Sequence, residues 1–214
     1  RKQQSASFCK FLWQGESLEE KGMEIKKEKL EQIINQSANP SRLEPEQIPE
    51  LELYIDQILM LFEDKLGENR RRENDKILTK SMVNNYSKEK MIRPMRGKKY
   101  SREQILQILM ICNLKNVLSI GDIKQVMTLL MAEGVQAKGM QEIFEKDREN
   151  QKELKESINV MVDRLKQNYD EEMDTIALVS LLLSFAGIAA YCRKTSEAII
   201  NRFFIEDTKE KNTK

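Results

Sequence analysis

LTKSMVNNYSKEKMIRPMRGKKYSREQI, residues Leu78–Ile105, decides how the remaining sequence is read. Between Lys76 and Arg102 there are nine basic residues and one acidic residue, Glu89, a local charge of +8. The whole 214-residue chain carries only +1, so everything outside this segment sums to −7. A basic segment inside an otherwise acidic chain points to a polyanionic partner more than to a catalytic cleft.

The order of residues within the segment is informative. Thr79 can cap a helix over Lys80–Lys88, because its hydroxyl can accept from an amide of the first turn. Met82, Val83 and Tyr86 give that helix an apolar side. Lys80, Asn84 and Lys88 recur every four residues on another side, with Asn85 beside them. A helix of this length with amides and ammonium groups outward can enter a major groove. Pro94 ends the helical tendency. Gly97 sits in a plausible turn before a short strand, and Ser101-Arg102-Glu103-Gln104 reads as a capping box that opens a new helix. The segment spells helix, basic wing, helix.

This order resembles the N-terminal winged helix-turn-helix of MerR-type regulators over Leu78 to about Met127. Leu78–Tyr86 is similar to that family's recognition helix with its terminal tyrosine. Met91-Ile92-Arg93-Pro94 resembles the hydrophobic pair and proline that follow, and Lys99–Ile105 resembles the wing tyrosine and the next helix. Leu118–Ile123 resembles the short turn and helix after that. Two features depart from the MerR pattern. The polar loop Gly67–Lys76 stands where its first helix normally lies, and Asn84-Asn85 replaces its Arg-Tyr pair. Closer still is the resemblance to the uncharacterised bacterial domain-of-unknown-function family 1836. It rests on LELYIDQ, LTKSMVNNYSK, KKYS and KNVLSIGDI, within roughly Ile48–Met127. That resemblance implies a fold and brings no established activity with it.

Composition narrows the function classes. The chain has no histidine, which removes the commonest general base, the commonest metal ligand and every Ser-His or Cys-His pair. Cys9, Cys112 and Cys192 have no metal spacing and fit reduced thiols in a cytoplasmic protein. Neither common Gly-rich phosphate loop is present. The expectation is a non-enzyme that needs no cofactor or metal. Gly and Pro total only 12, and the Glu/Lys/Leu/Met-rich remainder predicts a mainly α fold.

Read along the chain, residues 1–22 precede the first methionine, Met23. They read either as a translated leader ahead of a start at Met23 or as a disordered arm. Met23–Ser37 predicts an amphipathic helix, residues 38–49 a proline-rich linker, and Glu50–Leu66 a stronger helix. Arg70-Arg71-Arg72 reads equally as a solvated charge run or as a phosphate contact. Arg102–Val117 is apolar around most of its circumference and predicts the central helix. Ser119 can cap Ile120–Glu133, and Gly134 can stop it. Lys138–Asn168 predicts a long charged helix packing on its own chain or on a partner. Thr175–Cys192 is eighteen residues without a charge. It reads as a helix buried all round, or alternatively as a membrane span. Arg193–Phe204 predicts an amphipathic continuation, and 207–214 a disordered tail.

The expected organisation is a winged helix-turn-helix domain over 23–134, with one small β wing, and a helical dimerisation or sensor region over 135–206. The expected function is a homodimeric, sequence-specific regulator of transcription that binds duplex DNA with helix 79–89 and wing 93–100. Lys80, Asn84 and Asn85 would face bases. Thr79, Lys88, Arg93, Arg96, Lys98, Lys99 and Arg102 would hold phosphates. The alternative is a helical interaction module without DNA binding, soluble or tethered to a membrane through 175–192.

Overall fold

A computed structural model describes residues 25–37, 39–95, 97–168 and 172–205. The leader reading of 1–22 and Met23, and the tail reading of 207–214, fall outside those residues. In chain order the elements are β1 (Ile25–Lys26), α1 (Lys27–Ser37), β2 (Leu53–Tyr54), α2 (Ile55–Leu66), α3 (Lys80–Lys88) and β3 (Lys99–Tyr100). They continue as α4 (Arg102–Leu114), α5 (Ile120–Ala132), α6 (Ala137–Lys166), β4 (Glu172–Met173) and α7 (Thr175–Ile199). A π-type turn, Ile200–Ile205, ends the described chain. The mainly helical expectation holds.

α4 is the axis of the main core. Its residues from Gln104 to Cys112 are all buried, so the helix has neighbours on every side. Ile58 and Phe62 of α2, Val83 and Tyr86 of α3, Ile123 and Met127 of α5, and Tyr100 of β3 belong to the same cluster. Met140 and Phe144 of α6 join it too, so the core continues past residue 134. Among the described residues, 39–49 of the expected linker 38–49 are not free of the core. Leu43, Pro45 and Ile48 are buried, and Pro45–Gln47 forms a 3-10 turn.

Local capping chemistry sets the helix ends. Thr79 Oγ1 accepts from Met82 N at 3.2 Å, and Ser101 and Gln104 form a reciprocal capping box. Ser119 Oγ accepts from Asp122 N at 3.1 Å. At the end of α5, Gly134 has φ +70°, and Val135 N reaches back to the Leu130 carbonyl. The end of α3 has the same geometry, with Met91 N bonded to the Tyr86 carbonyl, but the left-handed position holds Lys90 at φ 57°. A side chain there is strained relative to glycine. Lys90→Gly is therefore expected to raise stability by about 1 kcal/mol, read as a higher urea midpoint.

Two further expectations change. Glu50–Leu66 is not one helix. Leu53 and Tyr54 form a strand that pairs antiparallel with β3, Leu53 opposite Tyr100 and Tyr54 opposite Lys99. The partner strand lies far along the chain, so local periodicity alone favoured a helix there. The second change concerns α7. Of its residues only Leu181 is buried; it packs with Leu30 and Met173, while Ile34, Leu165, Ala177 and Phe185 flank them. The opposite side of α7 faces solvent. Among the described residues α7 is not buried all round, because they supply cover on one side only.

Burial also controls ionisation in the core. Burial, and secondarily Cys112, pushes the Tyr86 hydroxyl up from 10.0 to about 12. Burial pushes the Cys112 thiol up from 9.0 to about 11, against the opposing pull of Lys115. Both groups stay protonated in the folded state at a pH where the unfolded chain ionises. Their contribution is complete below the unfolded values and is lost as pH rises through roughly 9–12. For Cys112 alone, the loss expected by about pH 10.5 is about 2 kcal/mol. Urea midpoints at pH 8 and pH 10.5 should show it, and Cys112→Ala should flatten the slope.

Candidate nucleic-acid interface

α3 is held by its apolar side. Val83 and Tyr86 are buried, and Met82 packs against the same core. That seating leaves Lys80, Asn84, Asn85 and Lys88 exposed. Lys80, Asn84 and Lys88 are one turn apart on one face, as helical spacing requires. Thr79 is half-buried, and its hydroxyl already accepts from the Met82 amide. Its role in the structure is that of a helix cap.

The wing side is the turn that leads into β3. Gly97 has φ +95° and open space around it, the left-handed geometry that glycine adopts without strain. Lys98 and Lys99 follow, both exposed. The Lys99 ammonium lies 5.0 Å from the centre of the Tyr54 ring, the residue opposite it in the strand pair. Arg96 lies outside the described residues.

The other two arginines assigned to phosphates are engaged within the chain. Arg93 Nε forms an ion pair with Glu103, and Arg93 Nη2 donates to the Val135 carbonyl at 3.3 Å. Its backbone is held as well. Arg93 N donates to Gln107 Oε1 at 2.8 Å, and Gln104 Nε2 donates to the Arg93 carbonyl at 2.9 Å. Arg93 thus clips the segment after α3 onto α4 and onto the α5–α6 corner. Arg102 pairs with Glu50 through Nη1, and its Nη2 donates to the Pro45 carbonyl at 3.0 Å, tying α4 to the 38–49 segment. These contacts tie both guanidinium groups to the chain itself, and a basic residue type could not reveal this by itself. Among the described residues, the exposed cations on α3 and the turn before β3 are Lys80, Lys88, Lys98 and Lys99.

Sequence reasoning missed Gln104 and Gln107 as clamps on Arg93. The available signal was two glutamines three residues apart on a helix in which, apart from Gln107, every residue from Ile105 to Cys112 is apolar. Buried amides of that kind need partners, so they mark a polar junction. A second missed pair is Lys124 with Glu89, at 2.7 Å. The bond from Lys124 holds the Glu89 carboxyl below its usual value, so the one acidic residue of the basic segment is neutralised by α5.

The Arg70-Arg71-Arg72 run divides in the same way. Arg70 pairs with Glu63 at 2.8 Å and donates to the Gly67 carbonyl, while Arg71 and Arg72 are exposed.

Comparison with known proteins adds one finding. A family model described as "Domain of unknown function (DUF1836)" matches residues 43–175. No curated protein matches the chain, and no solved structure does. The matched interval begins at buried Leu43, runs through α2 to α6, and ends at the first residue of α7. It is longer at both ends than the phrases that first suggested the family, and it coincides with the elements that build the main core. With well over half of its residues inside that match, the chain belongs to the family of the domain of unknown function DUF1836.

Proposed function

We propose that this protein is a sequence-specific, duplex-DNA-binding regulator of transcription that acts through α3 and the turn before β3. The observation that carries the proposal is the division of α3 between two faces. Its apolar side is fixed to the core, while Lys80, Asn84, Asn85 and Lys88 stand in solvent. In this reading α2, α3 and the β2–β3 pair correspond to a MerR-like helix-turn-helix with a minimal wing. Asn84 and Asn85 would read base edges, since a side-chain amide can pair with adenine N6 and N7. Lys80 would stand beside them. Lys88, Lys98 and Lys99 would neutralise phosphates, which fix register and orientation.

The test is fluorescence anisotropy of a labelled random-sequence duplex pool, titrated at several salt concentrations. Binding with a steep negative log–log salt slope is expected, about −0.9 for each neutralised phosphate. No binding at low salt overturns the proposal. With an operator selected from the pool, Asn84→Ala is expected to cost about 1–3 kcal/mol on the operator and much less on random duplex. Equal losses on both would remove Asn84 from base reading.

A second reading is a helical interaction module tethered to a membrane through 175–192. One observation favours it: the helical stretch Thr175–Ile205 contains a window of mean hydropathy 2.0, and hardly any of that window is buried. Cell fractionation separates the two readings, because a tethered module pellets with membranes at normal expression.

A further inference from the structure

We infer that the solvent-facing side of α7 is a self-association surface, occupied by α7 of a second copy of this chain running antiparallel. The inference stands independently of the DNA reading.

The first observation is the size of the uncovered surface. Ile176, Val179, Leu182, Leu183 and Tyr191 are 76%, 48%, 60%, 69% and 73% exposed. Together they offer on the order of 600 Å² of mostly apolar surface, the upper end of the ~300–600 Å² range of the largest patch on an ordinary monomer, a size that is often functional. The pattern is two-sided. Ala177, Leu181 and Phe185 pack inward against α1 and the end of α6. Ile176, Val179 and Leu183 lie outward at three- and four-residue spacing, which is a seam for another helix.

The second observation concerns the ends of α7, which decide between a bilayer and a soluble partner. Met173, just before α7, is buried with Leu30 and Leu181. Just after α7, Ile200 is buried, and the Ile200–Ile205 turn packs against α5. Both ends therefore rest on one body. A helix crossing ~30 Å of hydrocarbon would leave its two ends on opposite sides. The packing of Ile200–Ile205 on α5 favours a soluble occupant.

The third observation is charge. Glu172 and Asp174 stand at the N-terminal end of the apolar stretch, and Arg193 and Lys194 at its C-terminal end, all exposed. A two-fold axis near Leu183 places Glu172 of one copy opposite Lys194 of the other, and the α7-capping Asp174 near Arg193, which pairs with Glu197 of its own helix. Antiparallel self-pairing thus matches acid to base at both ends, as an isologous interface requires. Parallel pairing would place like charges together. The antiparallel arrangement also opposes the two helix dipoles.

The test uses the full chain. Light scattering at micromolar concentration is expected to report twice the chain mass. A single-chain mass at tens of micromolar overturns the inference, and so does recovery only with detergent from the membrane fraction. Orientation is read by crosslinking in a Cys9→Ser background. With Cys192→Ser and Leu183→Cys added, mild oxidation should yield an interchain disulfide, because residue 183 lies at the axis. With Ile176→Cys in place of Leu183→Cys, no crosslink should form, because the two Ile176 positions would be ~21 Å apart along the seam, whereas a parallel pair would bring them together. The reverse result overturns the antiparallel arrangement. Lys194→Glu should raise the dimer dissociation constant about five-fold, and adding Glu172→Lys should restore it. Circular dichroism distinguishes a lost interface from a lost fold.

Discussion

Replacing Lys88, Lys98 and Lys99 together by alanine is expected to lower affinity for random duplex on the order of 500-fold at about 0.1 M salt and to leave the thermal midpoint almost unchanged. The affinity loss follows from counterion release. Three phosphate contacts give a salt slope of roughly −2.7, and their removal flattens the slope by that amount per protomer. The unchanged stability follows from the structure. All three lysines are exposed, and among the described contacts only Lys99 touches an aromatic ring, that of Tyr54. An exposed cation–π contact contributes only about 0.5–1 kcal/mol. Loss of binding with an unchanged slope would mean that these ammonium groups do not meet phosphates.

Arg93→Ala is expected to produce the opposite pattern. It removes the ion pair to Glu103 and the donor to the Val135 carbonyl. The Glu103 side chain is mostly covered, so its carboxylate loses its cation in a place where water compensates poorly. The expected cost is about 2 kcal/mol, below the ~3–5 kcal/mol of a fully buried pair because both groups retain some solvent. In a chain of this size that is a fall of roughly 4–8 °C in Tm. The Arg93→Ala/Glu103→Ala double variant should be less destabilised than the sum of its parts, since the two groups are coupled. If Arg93→Ala leaves Tm in place and instead reduces the salt slope by about one, Arg93 is a phosphate contact and the clip has been misread.

The contrast between these variants shows how much of the interface was legible beforehand. Lys80, Asn84, Asn85 and Lys88 could be placed on an outer face because α3 is short, capped by Thr79, and apolar on the side of Met82, Val83 and Tyr86. Helical periodicity suffices for that. The fate of Arg93 and Arg102 was not legible. Their partners Val135 and Pro45 stand 42 and 57 residues away in sequence. Charge counting gives nine basic residues equal weight, whereas the folded chain uses two of them as ties to distant carbonyls and carboxylates.

The same distinction separates what the sequence by itself determined from what the tertiary structure decided. Helix starts at Lys80, Arg102 and Ile120 and the stop at Gly134 follow from hydrogen bonds between residues at most five apart, so side-chain identity at each cap is enough. The central position of α4 follows as well, because apolar residues on all sides of a helix require cover on all sides. The conversion of Leu53–Tyr54 from predicted helix to strand depended on Lys99–Tyr100 arriving beside it. The exposure of α7 depended on how many apolar surfaces are brought to it, and among the described residues Met173, α1 and the end of α6 arrive on one side. Periodicity reports which side of an element is apolar. Only the assembled chain shows whether another element is there to cover it.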